Sequence, residues 1–273
     1  MNSEIEREIS MGILENRRTV KNKLKNREKV TACWTSIGHP SITEIFTRTG
    51  ADFLGIDIEH STISQDQSQR IIAACQANGM VCLPRIASHN GEMIKRLLDS
   101  GADGIIVPTV STPEEVEQII EWSKYTPVGK RSYGIARGQG YGFDFEEHIT
   151  TWNDSSIIII QIESIQAVDN IEKLLNYEEI DGAMIGPYDL SGTLNVPGQL
   201  EHPLVVEAGK KVMNACLKFG KSCGTQDTNP VKESIAANFQ SGFNFVVLGS
   251  DIFLLWKWAE KLKQDLIELE IYR

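Results

Sequence analysis

Acidic side chains follow two apolar segments of the sequence, at positions where parallel strands would place them side by side. Glu163 ends the segment IIIIQIE, and Asp189 comes four residues after the next apolar segment. If these segments are neighbouring strands, which lie about 4.8 Å apart, the two carboxylates come close together. Two ionised carboxylates at that spacing need a cation between them, and hard oxygen ligands suit Mg²⁺ or Mn²⁺. The alternative is that each acid caps the helix that follows it.

A second group combines an arginine, a histidine and two acids. Arg85 follows a proline at the end of an apolar segment. A guanidinium there can bind an oxyanion or carboxylate through two hydrogen bonds, the alternative being a surface ion pair. His60 stands three residues after Asp57, which favours a general base over a loop histidine without a role. Asp99 is a weaker candidate for the acid that orients this base, because it lies toward a helix C-terminus.

These residues need a scaffold, and recurring apolar segments supply its strands. The segments begin at Val30, Phe53, Met80, Gly104, Ile157, Gly182, Ser222 and Phe245, and amphipathic helical stretches follow Asp66, Gly91, Pro113 and Ile165. Several segments are apolar almost throughout, as strands buried on both faces are. Eight strands separated by helices over about 250 residues predict an α/β fold, the (β/α)₈ TIM barrel, whose active sites lie at the C-terminal ends of the strands.

A doubly wound open sheet is the alternative fold. It would place a glycine-rich phosphate-binding turn directly after an early strand, and the sequence has none there. The glycine-rich segment 134–142, GIARGQGYG, follows no strong strand, so a dinucleotide site is not expected. The long stretch between the fourth and fifth strands instead predicts a mobile lid at the mouth of the barrel.

Composition excludes several classes of protein. Across 273 residues, 27 Lys and Arg oppose 37 Asp and Glu, and the net charge of −10 argues against nucleic acid or an anionic membrane as the main partner. No stretch approaches the roughly 20 apolar residues of a membrane span. The five cysteines are odd in number and form no CxxC pair, which is typical of reduced thiols in a cytoplasmic protein.

The chain divides into a helical extension, residues 1–27, and a single barrel domain, residues 28–273. The extension is amphipathic and runs into a basic stretch that begins at Arg17. Such a stretch is more often a solvated helix than a nucleic-acid-binding arm, and the solvated helix is the expectation here.

The C-terminal segment predicts a helix with apolar residues on opposite faces. Leu255, Trp258 and Leu262 belong to one stripe, whereas Trp256 lies on the other side. One barrel surface cannot easily bury both tryptophans, so we expect a subunit contact and an oligomer. The alternative is a final barrel helix with one partly exposed indole.

With these motifs in order, the sequence resembles the HpcH/HpaI aldolase family, the metal-dependent pyruvate aldolases. The resemblance rests on ADFLGIDIEH (51–60), LPRI (83–86), IKRLLDSGADGIIVPTV (94–110), IQIES (160–164), GAMIGPYDLSGTLNVPGQLEHP (182–203) and GSD (249–251). It covers roughly residues 28 to 262 and implies a (β/α)₈ barrel. It also implies that the last helix is exchanged between subunits, in a homohexamer built as a trimer of dimers.

The resemblance assigns a role to each motif residue. The matching positions are Glu163 and Asp189 for the metal; His60, Asp57 and Asp99 for the base and its supporting acids; and Arg85, Gln161, Gly186 and Pro187 for the substrate. It implies that Mg²⁺, Mn²⁺ or Co²⁺ chelates pyruvate, that Arg85 stabilises the metal-bound enolate, and that His60 moves the aldehyde's proton. Tyr188 and the segment 131–138 depart from the family pattern, so the aldehyde is left open.

Three functions remain open from the sequence. The first is an aldolase that cleaves or forms a 4-hydroxy-2-oxo acid from pyruvate and an aldehyde. The second is a related lyase on the same barrel, either an acyl-CoA lyase of the citrate-lyase β type or an oxaloacetate decarboxylase. His60 favours the aldolase, because the CoA-lyase relatives generally lack that histidine. The third, a barrel that binds an oxoacid without catalysis, has no need of Glu163, Asp189 and Arg85 together with His60.

Overall fold

The computed structural model describes residues 2–271, with side chains from residue 12 onward. In this part of the chain the strands are β1 (Val30–Thr35), β2 (Phe53–Asp57), β3 (Val81–Arg85), β4 (Gly104–Val107), β5 (Ile157–Ile162), β6 (Gly182–Ile185), β7 (Ser222–Asp227) and β8 (Phe245–Leu248). Each strand pairs in parallel with the next, and β8 pairs with β1, so the sheet closes. This confirms the predicted (β/α)₈ barrel, and the open-sheet alternative is wrong.

Helices connect the strands and cover the outside of the barrel. Their bounds are α1 (Asn2–Lys25), α2 (Pro40–Phe46), α3 (Gln65–Ala77), α4 (Gly91–Asp99), α5 (Pro113–Ser123), α6 (Phe145–Ser155), α7 (Ile165–Leu174), α8 (Pro187–Thr193), α9 (Pro203–Lys218), α10 (Lys232–Gln240) and α11 (Asp251–Glu268). Two short 3₁₀ helices span Thr47–Thr49 and Arg137–Gly142. Among the helices of residues 2–271, none is long and apolar enough to cross a membrane.

Local sequence explains where these elements start. Ser64 and Gln67 form a capping box at the start of α3. Thr112 and Glu115 form another at α5, whose first residue is a proline. Five of the six residues of β5 are isoleucine, a β-branched residue that favours strands. Because each strand faces the interior on one side and helices on the other, apolar residues fill both faces.

The barrel interior supports the site above it. One buried cluster fills the interior, and a larger one lies between the sheet and the helices. Near the C-terminal end of the interior the Trp34 indole lies over Gly55, where a Cβ would be 2.2 Å from Trp34 Cε3. Position 55 therefore requires glycine. The guanidinium carbon of Arg85 lies 5.1 Å from the centroid of the same indole, which forms a floor beneath it.

The N-terminal end of the barrel carries a repeated polar contact. One polar residue precedes each even-numbered strand, and its side chain accepts a backbone N–H from the strand before it. The pairs are Asp52 with Thr31 (2.8 Å), Asp103 with Cys82 (3.0 Å), Asp181 with Ile158 (2.9 Å) and Asn244 with Cys223 (3.3 Å). Because the same contact recurs at every second strand pair, these pairs have the same shift of one strand along its neighbour. A closed barrel requires such a regular shift.

Helix α1 closes this end of the barrel, and the prediction of a solvated helix was wrong for its second half. Leu24 is fully buried and Val20 is 4% exposed. Basic side chains of α1 pair with three of the acids at the strand ends: Lys23 with Asp52 (2.6 Å), Lys21 with Asp181 (2.6 Å) and Arg17 with Asp103 (3.4 Å). Because buried carboxylates need a compensating charge, the basic stretch serves the packing of α1 on the barrel.

The glycine-rich part of the long segment between β4 and β5 lies at the end of the barrel opposite the mouth, so the prediction of a lid was wrong. Helix α5 returns the chain to the N-terminal end before the glycine-rich part begins. There Arg137 Nη1 donates to Gln76 Oε1 (2.7 Å) and to the carbonyl of Ser100 (3.1 Å), at the ends of α3 and α4. These contacts tie the segment to the barrel wall.

Helix α11 begins at the barrel and then leaves it. Asp251 at its start is 3% exposed, whereas Leu255, Trp256 and Trp258 are 52%, 53% and 63% exposed. Both the predicted stripe and the opposite Trp256 are therefore uncovered in one chain. Exposed apolar surface on this scale is typical of a protein–protein contact.

Candidate active site

A cavity of about 300 Å³ opens at the C-terminal end of the barrel, where this fold places its active sites. Predicted site residues that line it are Asp57, His60, Arg85, Gln161, Gly186, Pro187 and Asp189. Glu163 lies directly behind Gly186, where a Cβ would be 3.0 Å from Glu163 Oε2. Three strands (β2, β3 and β5) and the first turn of α8 thus bring eight of the nine predicted residues together.

Arg85 is the centre of a network of buried polar side chains. It is paired with Asp57 across β2 and β3, and its Nη2 lies 2.9 Å from Asp57 Oδ1. Its Nε lies 3.2 Å from Glu59 Oε2, and its Nη1 donates to Gln161 Oε1 at 3.4 Å. Arg85 is 8% exposed, so it is not a surface ion pair. Asp57 and Glu59 hold the guanidinium of Arg85 in one position at the wall of the cavity, where it can bind an oxyanion.

Glu59 belongs to this network, although no role for it follows from the sequence. Its Oε2 is buried and has no hydrogen bond of good geometry within the described residues, despite the 3.2 Å contact with Arg85 Nε. Burial raises the pKa of Glu59; Arg85 opposes this shift, whereas the carboxylates of Asp57 and Asp189 add to it. A partly buried carboxylate in this position favours a cation nearby.

The imidazole of His60 lies at the rim of the cavity, with 68% of its side chain exposed. Its Nε2 is 3.8 Å from Glu59 Oε2. Asp57 supports His60 through the backbone, because Asp57 Oδ1 accepts the His60 N–H at 3.1 Å. An imidazole at the rim can exchange a proton with a substrate group or a water molecule in the cavity.

Glu163 is 6% exposed, and a hydrogen bond holds each of its carboxylate oxygens. Oε1 accepts the backbone N–H of Thr109, and Oε2 accepts from Gln161 Nε2, each at 2.5 Å. Thr109 has φ of +56°, a strained conformation for a β-branched residue and one that aims its N–H at the carboxylate. Burial raises the pKa of Glu163, and the carboxylates of Glu59 and Asp189 add to the shift.

Neither Glu163 nor Asp189 serves as a helix cap. The cap of α7 is Ser164, whose hydroxyl accepts the N–H of Ala167, and the residue at the start of α8 is Gly186. Asp189 lies in the first turn of α8, is exposed, and forms no hydrogen bond or ion pair with the part of the chain that the structure describes. The capping alternative is therefore wrong for both acids, and the carboxylate of Asp189 has no partner among the described residues.

The acids of the cavity fit a divalent cation. Glu59 Oε2 is buried and has only the ion-pair contact with Arg85 and the long contact with His60 among the described residues. Asp189 is unpaired in the same part of the chain, and Gly186 leaves open the space in front of Glu163. Within residues 2–271, no three His, Cys, Asp or Glu side chains converge to hold an ion by themselves. Mg²⁺ is typically held by one or two carboxylates while water and substrate complete its shell. Glu163 and Asp189 suit that arrangement, and their role as metal ligands stays a prediction.

Asp99 does not line this cavity. It ends α4, at the N-terminal end of the barrel, and its Oδ1 lies 2.9 Å from Arg131 Nη2. His60 lies at the other end, on the rim of the mouth. A single chain therefore offers no contact between this acid and the base, and the orienting role of Asp99 stays a prediction.

Other residues of the cavity carry no signal in the local sequence. Trp34 and Ser36 come from the end of β1, Gln226 comes from β7, and Ile252 and Phe253 come from the first turn of α11. These elements are distant in the chain from β2 and β3. They become neighbours of the site only because the barrel closes between β8 and β1.

Asp251, in the GSD motif, joins two of these walls. Its carboxylate accepts hydrogen bonds from Thr35 Oγ1 (2.6 Å) and from the backbone N–H groups of Ser36 (2.9 Å), Ile37 (3.0 Å) and Ile252 (2.8 Å). The motif thus fixes the turn after β1 against the start of α11. This contact explains why the motif follows the last strand.

The space at Gly186 gives a testable prediction. Gly186→Ala places a methyl group 3.0 Å from Gln161 Nε2 and from Glu163 Oε2, closer than such atoms approach without a shift. Because displacement of a reacting group by about 1 Å can cost about 100-fold, a shift of a few tenths of an ångström should lower activity by roughly tenfold in a folded protein. Gly192→Ala, in the same helix with open space around it, is the matched control and should keep full activity. Steady-state kinetics and circular dichroism measure both variants.

Comparison with known proteins agrees with this geometry. The sequence profile of the HpcH/HpaI aldolase/citrate lyase family matches residues 31–257. The 5-keto-4-deoxy-D-glucarate aldolase of Escherichia coli O6:H1 is 29% identical over 242 residues, which cover 89% of this chain and 94% of that protein. Among solved structures, an HpcH/HpaI aldolase from Desulfitobacterium hafniense DCB-2 is 27% identical, with a TM-score of 0.82 over 90% of this chain and 95% of that one. The citrate synthase SbnG is also 27% identical, with a TM-score of 0.80 over 92% and 98% of the two chains. The protein belongs to the HpcH/HpaI aldolase/citrate lyase family.

Proposed function

We propose that this protein is a divalent-metal-dependent aldolase that cleaves a 4-hydroxy-2-oxo acid into pyruvate and an aldehyde, or runs the reverse reaction. The observation that carries the proposal is the meeting of Glu163, Asp189, Arg85 and His60 at one cavity. Membership of an aldolase and lyase family and the similarity to a named aldolase support it.

Each half of the cavity has a separate task in this proposal. A divalent cation held by Glu163 and Asp189 supplies Lewis-acid polarisation of the 2-oxo group when bound. Arg85, fixed by Asp57 and by Gln161, stabilises negative charge on the oxygen of the developing enolate. Gly186 and Pro187 form the wall against which the oxoacid lies.

His60 handles the proton of the cleavage step. Its imidazole takes the proton from the C4 hydroxyl, either directly or through one water molecule. The C3–C4 bond then breaks, C4 becomes the aldehyde carbon, and the electron pair moves to C3 and the enolate oxygen. Protonation of C3 completes pyruvate. No lysine at a strand end is required, because the route forms no Schiff base.

The deciding experiment measures pyruvate release from a panel of 4-hydroxy-2-oxo acids with Mg²⁺, Mn²⁺ or Co²⁺, with and without EDTA. We expect activity with at least one acid and its loss with EDTA, restored by added metal. Pyruvate release that persists in EDTA would overturn the metal-dependent mechanism.

A related lyase is the second candidate, because the family profile includes citrate lyases and the chain is similar to the citrate synthase SbnG. Its substrates would be an acyl-CoA or oxaloacetate. The position of His60 at the rim favours the aldolase, since an aldol cleavage needs a base for the hydroxyl proton. Oxaloacetate and acyl-CoA thioesters belong in the same panel, and turnover of these alone would favour the second candidate.

We propose further that the protein is a cytoplasmic homohexamer, a trimer of dimers, in which α11 is exchanged between subunits. The uncovered tryptophans of α11 support the exchange, and the five buried free cysteines support a reducing compartment.

Sedimentation checks the assembly. We expect a species of six 30.5 kDa chains, and a shift to smaller species in Trp256→Glu and Trp258→Glu, because a charge on the covered face opposes docking. Lys210→Glu, an exposed lysine of α9, is the control and should leave the assembly intact. A wild-type species with the mass of one chain would contradict the prediction.

A further inference from the structure

Gln226, near the C-terminal end of β7, has no role in the mechanism proposed above. Its neighbour Asp227 faces the helices, where Oδ2 accepts a hydrogen bond from Asn238 Nδ2 of α10 at 3.3 Å. Gly224 faces the interior, where a Cβ would be 2.0 Å from the ring of Phe245. Because side chains alternate along a strand, Gln226 points into the barrel just below its mouth.

Gln226 completes a layer of side chains that crosses the barrel beneath the mouth. The other members are Trp34 of β1, Arg85 of β3 and Gln161 of β5, and all of them line the cavity. Each is the third inward-facing residue of its strand, and barrels of this kind stack their interior in such layers from alternate strands. Arg85 lies over the Trp34 indole and donates to Gln161, so these three side chains contact one another.

The amide of Gln226 is free and open to the cavity. It forms no hydrogen bond with the part of the chain that the structure describes. The residue is only half-buried, and neither of its amide atoms is closed off from solvent. A molecule in the cavity can therefore reach both the NH₂ donor and the carbonyl acceptor.

The positions of the other groups decide which part of a substrate reaches this amide. In the proposed function Arg85, Glu163 and Asp189 bind the oxoacid, and they lie at the ends of β3, β5 and β6. His60 follows β2 and receives the proton of the C4 hydroxyl. Because β1 adjoins β2, the wall of β7, β8 and β1 is left for the atoms that extend beyond C4.

On that wall the other polar side chains already have partners. Ser250 Oγ accepts the N–H of Phe253 at 3.2 Å as the cap of α11, and Ser36 Oγ contacts Asp57 Oδ2 at 3.5 Å. None of the described residues that line this wall carries a charge, which favours a neutral polar group over a carboxylate. The rest of the lining there is aliphatic or aromatic: Trp34, Ile252 and Phe253.

We propose, building on the function proposed above, that the free amide of Gln226 selects an aldehyde with a hydroxyl group on the carbon next to its carbonyl. That hydroxyl donates to the carbonyl oxygen of Gln226 and accepts from its NH₂ group. In the direction of synthesis, C3 of the enolate bonds to the aldehyde carbon, and the aldehyde oxygen takes a proton from His60 to become the C4 hydroxyl. The selected hydroxyl is not consumed and becomes the C5 hydroxyl of the oxoacid. Gln226 thus sets specificity without moving a proton.

Glycolaldehyde and propanal test this selection, because one carries a hydroxyl where the other carries a methyl group. Each is condensed with pyruvate by the full-length protein and by Gln226→Met, which keeps the length of the side chain and removes the amide. We expect the ratio of kcat/KM for glycolaldehyde over propanal to fall about tenfold in the variant, because a site built for a hydroxyl loses its partner. Comparison of the two proteins cancels the difference in intrinsic reactivity between the aldehydes.

Two further variants accompany Gln226→Met. Gln226→Leu, a shorter apolar replacement, should change the ratio in the same direction. Gln240→Met is the matched control, because Gln240 is exposed at the end of α10 and does not line the cavity. It should keep the ratio of the wild type.

Exchange of the methyl protons of pyruvate with deuterium separates this inference from the proposed function, because it involves no aldehyde. Gln226→Met should leave the exchange rate unchanged. No exchange and no condensation in the wild type would overturn the proposed function and this inference with it. Normal exchange with an unchanged aldehyde ratio in Gln226→Met would overturn this inference alone.

Two other results would also contradict the selection by Gln226. Loss of exchange in Gln226→Met would show that Gln226 supports the enolate half of the cavity. Glyoxylate carries a carboxylate in place of the hydroxymethyl group of glycolaldehyde. If Gln226→Met lost as much activity with glyoxylate as with glycolaldehyde, the amide would not select a neutral hydroxyl.

Discussion

Glu163→Gln is expected to lower pyruvate release by roughly 1,000-fold or more, since a metal that polarises a carbonyl is worth several kcal/mol in the transition state. The substitution keeps the shape of the side chain and replaces one carboxylate oxygen with an amide nitrogen. In the wild type one carboxylate oxygen accepts the Thr109 N–H and the other accepts from Gln161 Nε2. The amide nitrogen of glutamine cannot accept, so one of these two hydrogen bonds is lost as well. Both the proton exchange of pyruvate and the cleavage of the oxoacid should fail together.

Direct titration of Mn²⁺ separates a metal effect from a folding effect. The variant should bind Mn²⁺ more weakly and keep the circular dichroism of the wild type. Glu172→Gln is the matched control, because Glu172 is exposed on α7 and, within the described residues, its one ion pair is the surface contact with Lys218 at 2.8 Å. It should change neither activity nor metal affinity. Full activity in Glu163→Gln would contradict the assignment of Glu163 to the metal.

His60→Ala should divide the two reactions. Cleavage of the oxoacid should slow by about 10²–10⁴-fold, the usual contribution of a general base, because the C4 hydroxyl loses its proton acceptor. Exchange of the methyl protons of pyruvate with solvent should change little, because the enolate half of the cavity depends on Arg85 and on the metal ligands. Deuterium incorporation into pyruvate and the release of pyruvate from the oxoacid measure the two rates.

His39→Ala is the control for His60. His39 is exposed, its Nδ1 accepts the backbone N–H of Ser41 at 3.2 Å, and it does not line the cavity. Both rates should stay close to those of the wild type. Equal losses of exchange and cleavage in His60→Ala would show that His60 does not act on the aldehyde half, and the histidine would then need a structural explanation.

The strands were predictable because each carries its own signal. The segments at Val30, Phe53 and Gly104 are apolar on both faces, which only a sheet covered by helices can bury. The third strand begins at Val81, one residue after the predicted Met80. A polar residue at the C-terminal end of such a strand reaches the mouth of a barrel whatever the rest of the chain does. Asp57 and Arg85 were found in this way.

The segment between β4 and β5 was not predictable in the same way. Its glycines indicate a loop, but a loop signal does not say which end of the barrel the loop covers. The location follows from α5, which returns the chain to the N-terminal end, and from the contacts of Arg137 with α3 and α4. Those partners are more than 30 residues away in the chain, so no local pattern reports them.

The contacts of the site residues were likewise not predictable from the local sequence. Glu59 stands beside His60 in sequence, yet its contact with Arg85 depends on the register of β2 and β3. The N–H that holds Glu163 comes from Thr109, more than 50 residues earlier, in a backbone conformation that a threonine rarely adopts. Asp251 reaches Thr35 only because the sheet closes.

By itself the sequence determined the barrel, the family and the residue types at the ends of the strands, because local periodicity and short motifs are enough to predict each of these. Only the tertiary structure decided which polar groups meet. It placed Asp99 at the end of the barrel opposite His60. It also showed that the basic stretch predicted to be solvated packs on the N-terminal end of the barrel and closes it. The reason is physical: burial and ion pairing depend on distances across the fold, and the closure of eight strands sets those distances.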